Sequence, residues 1–144
     1  MGARRLNPLA EPTSPRTRRL AQLEGKYTSV MAGGAPVNFG TDQEPDWQTL
    51  QVATPSNQLD WLIFSRAGEG AVAAGFGEQP CMPPMRTTSN QSYPVSWLAG
   101  LAIVQQITAW GLQQRGRFWA YGDAIKAAPD TDEAVDAIPI EAGW

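Results

Sequence analysis

Residues 93–117 read Tyr-Pro-Val-Ser-Trp-Leu-Ala-Gly-Leu-Ala-Ile-Val-Gln-Gln-Ile-Thr-Ala-Trp-Gly-Leu-Gln-Gln-Arg-Gly-Arg, and no charged residue stands between Arg86 and Arg115. Ser96 is placed to cap a first helical turn, Pro94 lies just ahead of it, and Gly116 follows Arg115 where a left-handed terminal residue is suited. The pattern predicts a helix over 97–114, about 27 Å long at 1.5 Å per residue. At 100° per residue Trp97, Leu101, Val104, Gly111 and Leu112 share one side, and Ile103, Ile107 and Trp110 another. Gln106 and Gln113 make a narrow polar strip, while Gln105 and Thr108 interrupt the apolar side. A helix apolar over most of its circumference is buried on several sides. A bilayer is one such surrounding, with Trp97 and Trp110 as interface markers and Arg115 and Arg117 as anchors. Two mid-span glutamines and a Trp–Trp separation of about 20 Å, short of the ~30 Å hydrocarbon core, argue against it. A core or interface helix is the expectation.

Outward from that stretch, composition sets the bounds. The chain has 144 residues and is expected to form one domain with a single core. One cysteine, Cys81, excludes an internal disulfide framework and suits a reducing compartment. No apolar run follows Arg4 and Arg5, so no signal peptide is expected, and the location expected is a virion or the cytoplasm. Net charge is −3, unevenly spread: residues 1–26 carry +4, and residues 123–144 carry −5. A basic front and an acidic back point to contacts with surfaces of opposite sign.

Residues 1–25 hold Pro8, Pro12, Pro15 and five arginines, which predicts an extended basic arm. Strands are expected at 26–32, 37–39, 47–54, 59–66, 71–76 and 118–121, with 59–66 the central one. Residues 77–92, with three prolines in five positions, are expected to be extended and irregular. Short helices are expected at 123–128 and 131–138, the second capped by Asp130 or Thr131. The fold class is therefore α+β. A small antiparallel sheet of four to six strands packs on one long helix in a domain of residues 26–138, between the arm of 1–25 and a tail of 139–144.

There is no histidine. That removes Ser-His-Asp and Cys-His catalysis, imidazole metal ligation and histidine general bases. Cys81, in Pro-Cys-Met-Pro, lacks both a base and a helix N-terminus to activate it. The glycine pairs Gly68/Gly70 and Gly75/Gly77 lack phosphate-loop spacing and read as turns. Asp42, Glu44 and Asp46 lack the glycine and distal glutamate of a calcium loop, and with Asp130, Asp132 and Glu133 they read as solvated acidic clusters. No enzyme activity, cofactor or metal is expected.

Six tryptophans without a repeat, and a terminal Trp144, suggest recognition of a partner instead. The expected function is a non-catalytic structural or assembly protein of a multi-subunit complex, such as a virion component in capsid decoration, head–tail joining or a tail. Arg4, Arg5, Arg16, Arg18 and Arg19 are expected as charged docking groups and Trp144 as an apolar anchor on other protein subunits. Nucleic acid is a weaker expectation, because the body is acidic and no recognition fold is visible. The alternative is a binding module in which Trp47, Trp61 and Trp119 stack on a carbohydrate or peptide. A third reading is a small inhibitor with an acidic tail as decoy.

Overall fold

A computed structural model describes residues 13–144. Among them helices α1 (Pro15–Ala32), α2 (Pro55–Ala73), α3 (Trp97–Ala127) and α4 (Asp132–Asp136) alternate with strands β1 (Ala35–Asn38), β2 (Trp47–Leu50), β3 (Met85–Arg86) and β4 (Ser92–Tyr93). The class is α+β. In place of one sheet of four to six strands there are two separate antiparallel pairs, β1 with β2 and β3 with β4. The described chain forms two compact units, one of Thr28–Arg115 and one of residues 13–27 with Gly116–Trp144. Helices α1 and α3 contribute to both.

Four expected strands are helix instead. Residues 59–66 lie inside α2, because Thr54 and Asn57 form a reciprocal capping box and Pro55 pre-sets the first helical φ. Apolar runs of this length do not reveal their period, and the capping signal decides. Most of the 71–76 run is the end of the same helix, which stops before Gly75 at φ +87°. Residues 26–32 belong to α1. That helix begins at Pro15, where Ser14 Oγ accepts from the Thr17 amide and the Ser14 carbonyl from the Arg18 amide. A proline at the first helical position loses no bond, so Pro15 starts a helix rather than preventing one. Residues 15–25, expected in the extended arm, are therefore helical; residues 1–12 lie outside the described residues.

The expected strand at 118–121 is part of α3, which runs past Gly116 to Ala127. Gly116 reads as a stop on its local pattern, yet beyond it Phe118 and Tyr121, partly buried, and Ile125, fully buried, continue a helical stripe. Of the expected helix at 123–128, residues 123–127 extend α3 rather than starting another, and Ala128 lies just past its end. The 47–54 strand is shorter than expected, while α4 begins at the expected cap, Thr131 Oγ1 accepting from the Ala134 amide at 3.2 Å.

The Thr28–Arg115 unit packs Ala35, Val37, Leu50, Val52 and Met85 against Ile103, Val104 and Ile107 of α3. Gln106, half-buried, accepts from the Asn38 amide at 3.0 Å and donates to the Asn38 carbonyl at 3.2 Å, so its carboxamide substitutes for a neighbouring strand along β1. Gly34, at φ +87°, brings the chain into β1 so close to β2 that a Cβ there would lie 2.9 Å from the Leu50 carbonyl oxygen. In the second unit Leu23, Ile125, Val135 and Ile140 form a buried cluster, flanked by Phe118, Tyr121 and Trp144. The 139–144 tail is a turn packed on this cluster, with Ile140 fully buried.

Candidate functional site

The terminal docking residues come first. Arg4 and Arg5 lie outside the described residues. Arg16 donates from its amide to Asp130 Oδ1 at 2.8 Å and from its guanidinium to the Ala128 carbonyl at 2.7 Å. Arg18 pairs with Asp132 at 3.0 Å and Asp136 at 2.9 Å, and hydrogen bonds to Asp136 and then Asp132 hold its pKa above the ordinary arginine value. Arg19 donates to the Val135 carbonyl at 3.1 Å and the Ile138 carbonyl at 2.6 Å. Trp144 donates from Nε1 to the Ile140 carbonyl at 2.6 Å, sits near Tyr27 and Tyr121, and takes the Arg117 guanidinium over its ring at 5.6 Å. The basic and acidic ends seen in the sequence thus meet each other within one unit.

These contacts differ in weight. Arg18 is partly exposed and its carboxylates are more so, and solvent-screened pairs of this kind contribute little. Arg19 adds a charged donor to two part-buried carbonyls, Val135 in α4 and Ile138 just beyond it, each of which also accepts a backbone amide. Arg19→Ala is expected to destabilise the protein by about 1–3 kcal/mol, and Arg18→Ala by clearly less. Paired urea denaturation curves check the order, and an equal or reversed ranking would show the Arg19 contacts to be unimportant.

The aromatic candidates separate. Trp47 (62% exposed) stands at one end of β2, opposite Asn38. Trp119 (60% exposed) belongs to α3 in the other unit. Trp61 alone of the three lines a cleft of the Thr28–Arg115 unit, about 560 Å³ in volume. Its indole N–H donates to the Gln51 carbonyl at 2.7 Å, which fixes the ring. Phe64, one turn on, meets Trp61 edge-on at 6.5 Å and Trp97 at 5.2 Å between centroids. Trp97 is set at the start of α3 by Ser96, whose Oγ accepts from the Ala99 amide at 3.1 Å.

Met82, Pro83 and Pro84 form another wall of the lining. This segment is tethered where the Cys81 amide donates to the Val95 carbonyl at 2.8 Å, with Cys81 itself buried. Asp60 and Arg86 supply one charge of each sign at the lining, and Arg86 is held by Asn90 Oδ1 at 2.8 Å. A mostly apolar cleft of this size with a few placed polar groups is of the kind that holds peptides or small molecules. The sequence reading missed Phe64, Trp97 and the proline wall as site residues. The i, i+3 spacing of Trp61 and Phe64 was a usable signal, hidden by reading that run as a strand.

Among the described residues no cluster of three or more His, Cys, Asp or Glu side chains is placed to hold a metal ion. Asp46 accepts from Gln48 Nε2 at 2.7 Å, and Asp130, Asp132 and Asp136 serve the arginines of α1. Among the same residues no helix is long and apolar enough to cross a membrane. Comparison with protein-family models, with curated proteins and with solved structures finds no match to this chain.

Proposed function

We propose that the chain is a non-catalytic subunit of a protein assembly, of which a virion is one example, and that it meets its neighbours through the apolar surface of the Thr28–Arg115 unit. One observation carries this reading. Leu59, Leu62, Ile63, Val72, Phe76, Leu98 and Leu112 all lie in that unit and are 38% to 66% exposed. Single exposed apolar residues are ordinary, but Leu59, Leu62 and Ile63 follow one another at helical spacing on α2, which makes a face. The termini support the reading less than their sequence suggested, because Arg16, Arg18, Arg19 and Trp144 have partners in their own chain. The lack of histidine supports a non-catalytic role. The native mass of the tagged chain at its natural expression level tests the proposal. A particle several times 15.6 kDa is expected, and a mass of one chain removes the reading.

The aromatic cleft favours a second reading, capture of an extended peptide. Trp61, Phe64 and Trp97 offer edge-on and tilted rings in the same cleft as Pro83 and Pro84, a surface suited to apolar side chains on an extended backbone. Titrating proline-rich peptides should quench tryptophan emission, and Trp97→Ala should weaken binding about tenfold or more. Quenching by oligosaccharides but not peptides would assign the cleft to sugars.

A further inference from the structure

The exposed face of α2 that borders the cleft, where Asp60, Ile63 and Ala67 belong to the lining, is organised about one residue. Ile63 is exposed at its centre, and equal steps in either direction reach matching pairs. Asp60 and Arg66 stand three residues away, Leu59 and Ala67 four, and Ser56 and Gly70 seven, all of them exposed. At 100° per residue these seven positions fall within about 60° of Ile63, so they share one face. The charges are opposite, a large side chain matches a small one, and a hydroxyl matches a bare backbone. Neither Asp60 nor Arg66 has an ion-pair partner among the described residues.

Gly70 is compatible with a close neighbour on this face. A glycine inside a helix costs about 1 kcal/mol relative to alanine. For Gly68 the chain supplies a reason, because a Cβ there would lie 2.9 Å from Leu101. At Gly70 a Cβ would meet nothing within 4 Å. Gly25, Gly111 and Gly116 are open helical glycines of the same kind, so the bare backbone at Gly70 leaves room for a close neighbour without requiring one.

We propose that α2 packs antiparallel against α2 of a second copy of this chain, about a two-fold axis at Ile63. An isologous contact must be complementary to itself. In an antiparallel pair with that axis, positions whose numbers are equally distant from 63 face each other. Asp60 of one copy then lies against Arg66 of the other, and the same pair recurs on the far side of the axis. Leu59 fills the space over Ala67, and Ser56 sits over Gly70. A parallel pairing sets Asp60 against Asp60 and Arg66 against Arg66, and the like charges disfavour it. The inference rests on the assembly reading above and names the neighbour.

The full purified chain tests it by sedimentation equilibrium between about 1 μM and about 1 mM. One helix pair is at the small end of specific interfaces, so a reversible dimer with Kd on the order of 10–100 μM is expected. Asp60→Arg and Arg66→Asp should each weaken the dimer about tenfold or more, because each sets like charges against each other twice. The double variant D60R/R66D restores both pairs and should return Kd to within about threefold of the parent. Ile63→Asp brings two carboxylates together on the axis and should leave only monomer, with helicity by circular dichroism unchanged. A parent chain that stays monomeric to about 1 mM overturns the pairing. So does a dimer that ignores these substitutions, or a double variant no stronger than the singles. In each of those cases a large native particle would still leave the assembly reading standing.

Discussion

Ile140→Ala should lower the unfolding free energy by about 2–5 kcal/mol. Ile140 is fully buried and packs with Leu23 of α1, Ile125 of α3 and Val135 of α4. Its neighbours come from separate helices, so they cannot all move inward to close the space its side chain leaves. The local backbone is held as well: the Ile140 amide donates to the Ile138 carbonyl at 2.9 Å, and its carbonyl receives the Trp144 indole. Tyr121 adds a bond from its hydroxyl to the Ala142 carbonyl at 2.8 Å. The loss should be the same in dilute and concentrated samples, since every partner is in the same chain. Urea denaturation at two protein concentrations checks both points. A loss below about 1 kcal/mol, or one seen only at high concentration, would mean that the tail takes its order from another molecule.

The second large effect is expected at Gly100. A Cβ there would lie 2.6 Å and 2.9 Å from ring atoms of Phe64 and 3.3 Å from Met85 Cε. Phe64 is flanked by Trp61 and Trp97, and the space left for its ring to move into is the cleft that it lines. Helix propensity favours alanine over glycine by about 1 kcal/mol, and overpacking a filled site costs about 1–3 kcal/mol. The packing cost should win: Gly100→Ala is expected to destabilise the protein and Gly100→Val to do so more. Tryptophan emission should shift with it, because the displaced ring belongs to the cleft. Gly68→Ala is the control. There the obstacle is the mobile end of Leu101, and the net change should lie within about 1 kcal/mol of zero. If Gly100→Ala matched the parent in stability, the close seating of α3 on Phe64 would be wrong.

Much of the local plan was legible in the chain itself. Ser96 ahead of Trp97 marked the start of the long helix, and Thr131 marked the start of α4, because a cap needs only its own neighbours to act. The apolar side of Ile103, Ile107 and Trp110 was correctly a side of the helix, and it faces the core. The absence of histidine narrowed the chemistry before any fold was known. Tertiary structure decided the rest. The cap at Thr54 and Asn57 makes Leu59–Asp60–Trp61–Leu62 helical, but which of its side chains are covered is tertiary: Trp61 is held by the Gln51 carbonyl, and Leu59 and Leu62 are left exposed. Gly116 reads as a helix stop until Phe118 and Ile125 are given something to pack against. The arginines of α1 read as free charge until Asp130, Asp132 and Asp136, more than a hundred residues away, are brought to meet them. Caps and periodicity act over a few residues and can be read in order. Burial and charge pairing join distant parts of the chain, and only the folded molecule determines them.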